Sequence, residues 1–299
     1  MGGWSCSTDP PRHGPDTRRS GLYQHTVIAG LLTVHAYVIN LARSADRRAH
    51  VTAQLKSAGI DFELVTAVDG QELDLDDAEK IDPAFHSVEY SAGAAGCALS
   101  HLNVYAKILA DGLDKALVLE DDIIVPADLA RLADAVAEQC TGAEIVLLNF
   151  DNPDPVKMSG EGAVRLPGDR LLALPIDIAQ PRSSAAYVVT REACERLVKT
   201  VLPVRVLADA WWHFYREGAL DRVRCVTPLS VRKSPRYTST IGFYSLGDGV
   251  RARLVEPLVR GKIPLLGHVL SYRRERIYRQ FIRTELVTVP FVEKPSRLD

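Results

Sequence analysis

Three consecutive acids, Glu120, Asp121 and Asp122, are the side chains of this sequence best suited to do chemistry. They follow the apolar run 116–119 directly, and like charges beside a core raise one another's pKa values unless a cation lies between them. A divalent metal ion is one solution. In an extended segment Glu120 and Asp122 point to the same side, so both could bind one ion. The competing interpretation is an exposed acidic turn.

The pattern around these acids predicts an α/β fold. The run before them is apolar without alternation, as expected of a strand with helices on both faces. Strands that alternate with helices indicate an α/β protein, whose ligands bind beyond the carboxyl ends of the strands, where the acids lie. The predicted strands are 34–41, 62–65, 116–119, 144–149, 185–190 and 222–226, and the predicted helices are one from the cap Ser44 to Gly59, 94–110, 129–138 and 192–200.

Composition describes an ordinary globular protein. Of 299 residues, 46% are hydrophobic and 25% are charged, and a chain of this length buries a core without disulfide support. Its 36 basic and 38 acidic residues leave a formal charge of −2, so no global field attracts nucleic acid, and no nucleic-acid motif is evident. The five cysteines form no CxxC pair. We therefore expect free thiols and a cytoplasmic location.

Four blocks of sequence resemble glycosyltransferase family 25. They are VINL at 38–41 with the arginines that follow it, AVDG at 67–70, GCALSH at 96–101 and LVLEDD at 117–122. The resemblance covers roughly residues 36–245 and continues more weakly at 184–191 and 239–241. That family includes bacterial lipooligosaccharide galactosyltransferases and collagen galactosyltransferases.

The resemblance implies a GT-A type nucleotide-sugar-binding fold, a Rossmann-like mixed sheet flanked by helices. It implies an inverting transferase that uses Mn²⁺ or Mg²⁺ and moves a hexose, galactose or glucose, from a UDP-sugar to a hydroxyl of a glycan or glycolipid such as lipopolysaccharide. The motif is Glu-Asp-Asp rather than Asp-x-Asp, so we expect Asp122 and Glu120 at the metal, with Glu120 and Asp121 also able to support the ribose. The alternative is a relative that keeps the fold as a glycan-binding or adhesion module without turnover.

Further residues are expected to bind the donor, because the nucleotide of such a fold lies beyond the first strand. An arginine holds a phosphate through forked hydrogen bonds, and a carboxylate before a glycine could accept from ribose or uracil. The alternative for the residues after the first strand is a solvated helix start, and for the carboxylate before the glycine it is a simple turn. For the mid-helix histidine it is a core position with satisfied hydrogen bonds. The donor residues predicted in this way are Asn40, Arg43, Arg47 and Asp69, and the resemblance implies a role near the donor for Ser100 and His101 as well.

A base for the acceptor hydroxyl is expected at Asp209, which precedes Trp211 and Trp212. Aromatic faces beside a carboxylate suit a sugar, because the ring stacks on an indole while the acid receives the hydroxyl proton. The competing interpretation is a tryptophan pair in the core beneath a helix. Asp151 and Asp177 are weaker candidates for the base, because both lie in segments typical of connections.

The chain is expected to divide into three parts. Residues 1–33 are expected to form a disordered leader, because their first part is rich in Gly, Pro, Ser and Arg without apolar periodicity. The apolar run after Arg18 and Arg19 also imitates a secretory signal. Residues 34–250 should form the transferase domain. Residues 251–299 should form a basic helical tail, with nine Lys or Arg against two acids between 251 and 283. Such a tail suits peripheral contact with an anionic membrane on its inner face, or a solvated helix face. No stretch is apolar enough to predict a membrane span.

Overall fold

The computed structural model describes residues 34–87, 91–237, 276, 279–280 and 282–288. In these residues an eight-stranded mixed sheet lies between helices on both faces, which confirms the predicted α/β class with a Rossmann-like mixed sheet. The predicted leader, residues 238–250 of the predicted transferase domain and most of the predicted tail lie outside the described residues. The three-part division of the chain therefore stays a prediction.

The described secondary structure runs in chain order as follows. The helices are α1 (Ala45–Ser57), α2 (Pro83–Ser87), α3 (Ala92–Ala110), α4 (Leu129–Gln139), α5 (Arg191–Thr200) and α6 (Trp211–Arg216). The strands are β1 (His35–Asn40), β2 (Phe62–Thr66), β3 (Lys115–Glu120), β4 (Ile123–Ile124), β5 (Glu144–Leu147), β6 (Val156–Ser159), β7 (Val164–Leu166), β8 (Arg170–Ala173), β9 (Ala186–Thr190), β10 (Arg222–Thr227), β11 (Arg232–Lys233) and β12 (Thr284–Val287).

The strand order places the predicted site residues at one edge of the sheet. The order is β2-β1-β3-β9-β5-β10-β8-β7. Strands β1, β2 and β3 are parallel, β9 runs antiparallel between β3 and β5, and β10 is parallel to β5. The carboxyl ends of β1, β2, β3, β5 and β10 therefore meet at the same edge as the amino end of β9, which is where such sheets bind ligands.

Two hydrophobic clusters cover the faces of the sheet. Strand β3 feeds both, because Ala116 and Val118 point into one cluster while Leu117 and Leu119 point into the other. The first cluster includes side chains of α3, α5 and α6, and the second includes side chains of α1 and α4. Both faces of β3 are buried, which confirms the interpretation of its unbroken apolar run. Among the described helices, none has the length and hydropathy needed to cross a bilayer.

Three details differ from the sequence-based expectation. Ser44 occupies the N-cap of α1, but its side chain makes no capping hydrogen bond. Helix α3 starts at Ala92 rather than 94, because the Ser91 hydroxyl caps it by accepting from Ala94 N at 3.1 Å. Within the predicted helical tail, Thr284–Val287 is a strand that pairs in parallel with β6. Its strand-forming residues gain backbone partners along an edge that would otherwise be open.

Candidate active site

A cavity of about 300 Å³ lies at the carboxyl edge of β1 and β3. Its walls are the segment after β1, the turn after β2, the first turns of α3 and the acids that end β3. These four segments correspond to the four sequence blocks. Eight predicted site residues line the cavity, namely Arg43, Arg47, Asp69, Ser100, His101, Glu120, Asp121 and Asp122.

The turn that carries Asp69 packs with its backbone directly against α3. A Cβ added to Gly96 would lie 2.7 Å from the carbonyl oxygen of Val68, and one added to Gly70 would lie 2.2 Å from a backbone oxygen of the helix. Ser100 ties the turn down, since its hydroxyl accepts from Val68 N at 2.8 Å and donates to Gly96 O at 2.6 Å. The structure thus gives Ser100 a positioning role for Asp69. Direct contact of Ser100 with a donor stays a prediction.

Asp69 and Arg43 face each other in the cavity. The Asp69 carboxylate forms an ion pair with Arg43 and accepts a hydrogen bond from Gln71 N at 3.0 Å. The Arg43 side chain is 45% exposed. An anionic group that enters the cavity can therefore compete with Asp69 for this guanidinium, which is compatible with the predicted phosphate role of Arg43.

Asp121 is held by the two residues that were expected to bind a nucleotide. Asn40 donates from Nδ2 to one carboxylate oxygen at 2.7 Å, and Arg47 donates to the other at 3.1 Å. Burial raises the pKa of Asp121, while Asn40 and Arg47 oppose the rise. Asn40 lies outside the cavity lining and is 4% exposed. The geometry assigns Asn40 and Arg47 to the support of Asp121, and their predicted donor contacts stay predictions.

Among the acids Glu120, Asp121 and Asp122, Asp122 has a carboxylate oxygen that lacks a hydrogen-bond partner. Its Oδ1 is buried without a hydrogen-bond partner in the described part of the chain, and its Oδ2 lies 3.7 Å from Arg47. Burial, followed by the negative charge of Glu120, raises the pKa of Asp122 to about 6. Burial also raises the pKa of Glu120, but the His101 ring, Lys233 and the Ser184 hydroxyl lower it by more than burial raises it. The resulting pKa is about 2, so Glu120 stays ionised.

This pair of carboxylates fits a hard divalent cation. Mn²⁺ and Mg²⁺ prefer oxygen ligands. Here the unpartnered oxygen of Asp122 and the ionised carboxylate of Glu120 provide them. Glu120 Oε1 already accepts from the Ser184 hydroxyl at 2.7 Å, which orients the side chain. The carboxylates of Asp122 and Glu120 therefore fit the predicted metal ion, whose binding stays a prediction, while Asp121 is already occupied by hydrogen bonds.

Lys233 lies near the acids although no sequence pattern singled it out. Strand β11 pairs with β4 immediately after the acids, and Ser234 N donates to Asp122 O at 2.6 Å. The Lys233 ammonium consequently lies 3.4 Å from Asp151 Oδ2 and lowers the pKa values of Glu120 and Asp122. A two-residue strand has no periodicity, and its pairing spans more than a hundred residues, so no local signal marks it.

Asp209 lies beside the cavity rather than in its lining. Its Oδ2 accepts from Ser183 N at 2.8 Å, just before β9, and burial raises its pKa. The charge of Glu120 also raises the pKa of Asp209, which places the two carboxylates within electrostatic reach. Asp177 is exposed and accepts from a backbone amide two residues on, as in a simple turn. Asp209 is the better placed of these candidates for a base, and that role stays a prediction.

The prediction that Trp211 contacts an acceptor sugar is wrong. Trp211 is fully buried, packs against Tyr187 and Phe214, and donates from its indole nitrogen to Ser183 O at 3.2 Å. Neither face of this ring is free to stack on a sugar. Trp212 is 38% exposed, with the Arg216 guanidinium 5.5 Å from its ring centroid, so the predicted acceptor role stays open for Trp212.

Comparison with known proteins extends the resemblance seen in the sequence. The model of Glycosyltransferase family 25 (LPS biosynthesis protein) matches residues 33–160. This stretch is similar to glycosyltransferase family 25. It spans β1 to β6 and includes every residue that lines the cavity.

The chain is also similar over part of its length to individual proteins of known name. Procollagen galactosyltransferase 1 of Danio rerio is 35% identical over 96 residues, which are 29% of this chain and 16% of that protein. A glycosyltransferase 25 family member of Aedes aegypti is 37% identical over 98 residues, 30% of this chain and 16% of that protein. Inactive glycosyltransferase 25 family member 3 of Homo sapiens is 31% identical over 145 residues, 44% of this chain and 24% of that protein. The matches thus span a quarter or less of these relatives.

Proposed function

We propose that this protein is a metal-dependent, inverting glycosyltransferase that moves a hexose, galactose or glucose, from a UDP-sugar to a hydroxyl of a glycan or glycolipid acceptor such as lipopolysaccharide. One observation carries the proposal. The unpartnered, buried Oδ1 of Asp122 lies beside ionised Glu120 in a cavity built entirely from the stretch that is similar to family 25. A buried carboxylate oxygen without a partner is costly unless a ligand satisfies it.

The donor diphosphate would meet fixed charges at the cavity. Mn²⁺ or Mg²⁺ held by Asp122 and Glu120 would supply Lewis-acid stabilisation of the leaving diphosphate. Arg43 is exposed at the cavity and can exchange Asp69 for a phosphate oxygen. Lys233 adds a second positive charge close to the acids. Together these residues would orient the diphosphate and favour its departure.

The acceptor hydroxyl needs a group that takes its proton as the oxygen attacks the sugar. Asp209 is suited to this role, because burial raises its pKa and a more basic carboxylate accepts a proton more readily. The hydrogen bond from Ser183 N fixes one carboxylate oxygen and leaves the other for the acceptor. We assign the proton transfer to Asp209 on this basis.

A cytoplasmic location is part of the proposal. The four cysteines in the described residues, Cys97, Cys140, Cys194 and Cys225, are free thiols. Free thiols are typical of proteins in a reducing compartment.

A second candidate function is a glycan-binding or adhesion module without turnover. The observation that favours it is the human relative named inactive, whose match covers a larger share of this chain than those of the other two relatives described above. The acid triplet is intact here, which supports the enzyme over the binding module.

Release of UDP distinguishes the two functions. We expect the purified chain with Mn²⁺ or Mg²⁺ to release UDP from UDP-galactose or UDP-glucose in preference to their N-acetyl forms, and chelation to stop the release. Asp122→Asn should be inactive, while Asp154→Asn, the same change at an exposed position, should keep the wild-type rate. Metal-dependent binding of UDP without release from any donor would support the binding module. Release that survives both chelation and Asp122→Asn would refute the metal assignment.

A further inference from the structure

Cys97, His101 and Glu120 form a cluster that the proposed reaction uses through Glu120 alone. Cys97 and His101 lie four residues apart on one face of α3, and Glu120 ends β3. One ligand atom from each side chain lies within 4.8 Å of the other two. A point therefore exists no more than about 2.8 Å from all three atoms. Zinc bonds to these atoms measure about 2.0 to 2.3 Å, so small side-chain rotations would close the site.

His101 is prepared to act as a ligand. Its ring is 2% exposed, and Nε2 has no hydrogen-bond partner among the described residues. Nδ1 lies 2.7 Å from the Tyr187 hydroxyl, which itself donates to the Tyr105 hydroxyl at 3.1 Å. With the Tyr187 proton given to Tyr105, the Tyr187 oxygen accepts from Nδ1–H of His101. Nε2 lies 3.5 Å from Glu120 Oε1, so that without a metal ion a proton on Nε2 stabilises the Glu120 charge. A metal ion would replace that proton and bind the Nε2 lone pair. Metal-binding histidines are typically held by such a hydrogen bond from the other ring nitrogen.

The donor atoms select the class of ion. A thiolate, an imidazole and a carboxylate suit Zn²⁺ and chemically similar ions, whereas Mg²⁺ and Mn²⁺ prefer oxygen ligands. Glu120 is already oriented by the Ser184 hydroxyl. All three side chains line the cavity, so a fourth coordination position would face it. Three protein ligands with an open fourth position are the arrangement of zinc sites that admit water or substrate.

We propose that Cys97 Sγ, His101 Nε2 and a Glu120 carboxylate oxygen bind one divalent ion of the Zn²⁺ class. Binding replaces the thiol proton and the Nε2 proton, which leave to solvent as the bonds from the metal to sulfur and nitrogen form. The site differs from the Asp122 carboxylate pair in using nitrogen and sulfur ligands, and it shares Glu120 with that pair. It does not depend on the transfer reaction.

Titration of the metal-free protein with Co²⁺ alone tests the site, because Co²⁺ bound to a thiolate absorbs through sulfur-to-metal charge transfer. We expect the band to saturate at one equivalent and to disappear when Zn²⁺ is added. Cys97→Ala should abolish the band. Cys194→Ala, the same change at a buried thiol of α5, should keep it. Asp122→Asn should also keep it, which separates this site from the proposed transfer chemistry.

Tyr187→Phe provides a test that leaves every ligand in place. It removes the hydroxyl that fixes the His101 tautomer, and loss of such a partner weakens metal binding about 10- to 100-fold. We expect that loss in the Co²⁺ titration, with urea unfolding used to confirm that the variant is folded. A wild-type protein without the band, a band that persists in Cys97→Ala, or a band lost in Asp122→Asn would overturn the proposal.

Discussion

Gly96→Ala is expected to displace the turn that carries Asp69 while α3 stays intact. The added Cβ would lie 2.7 Å from Val68 O and 2.8 Å from Gly70 N, whereas ordinary contacts begin at 3.4 Å. Both neighbours are backbone atoms, so the turn must move by about 0.7 Å. Overpacking costs roughly 1 to 3 kcal/mol, and alanine returns up to about 1 kcal/mol in a helix. The free energy of unfolding should therefore fall by about 0 to 3 kcal/mol.

The effect of Gly96→Ala on activity should exceed its effect on stability. A misplacement of about 1 Å at an active site can reduce the rate by about a hundredfold, and we expect a loss of at least about tenfold. Urea unfolding and UDP release measure the two quantities. Gly112→Ala is the matched control, because this glycine ends the same helix at φ +71° with open space around it, far from the cavity. Gly112→Ala should lower the free energy of unfolding and leave the rate of UDP release unchanged. Gly96→Ala with both wild-type stability and wild-type rate would refute the account of the turn.

Three other predictions follow from the charges of the chain. The pKa of Asp122 is raised from 3.8 to about 6, so the native state keeps a proton that the unfolded chain loses between these values. The contribution of Asp122 to the stability of the metal-free protein should therefore fall as pH rises through this interval. Urea unfolding should show Asp122→Asn gaining stability over wild type between pH 4 and pH 8, and an unchanged difference would refute this. Asp209→Asn should lower kcat by about 10²- to 10⁴-fold with donor binding retained, and a lower urea midpoint with weaker binding would instead indicate a structural role. If residues 251–283 contact membranes, binding of the full chain to anionic vesicles should fall steeply with salt and be absent for neutral vesicles; salt-independent binding would contradict this.

Much of the sheet could be predicted because its central strands are long and apolar. The run 116–119 and the strand 185–190 carry their signal locally, in unbroken buried residues. Strand β7 is the edge strand of the sheet and β8 is next to it, and they have only three and four residues. So short a segment has little periodicity, and pairing with distant chain decides its structure.

The candidate site could be predicted where each residue lies at a strand end or in a recognised block. Eight residues expected on that basis share one cavity. Trp211 shows the limit, because a tryptophan in the core and one that stacks on a sugar are the same residue type, and burial distinguishes them. Lys233 shows another limit. Its neighbour Asp151 comes from a distant part of the chain, so nothing beside Lys233 in the sequence marked it. Cys97 lies in a recognised block four residues from His101, but its other partner, Glu120, comes from β3.

Binding of Mn²⁺ in the presence of UDP tests the central claim most directly, since it asks whether Asp122 holds a metal at the donor site. The electron paramagnetic resonance signal of free Mn²⁺ reports how much ion remains unbound. We predict that the wild-type chain and Asp154→Asn each take up one Mn²⁺ per chain when UDP is present, and that Asp122→Asn takes up none. Uptake by Asp122→Asn with wild-type affinity would contradict the account.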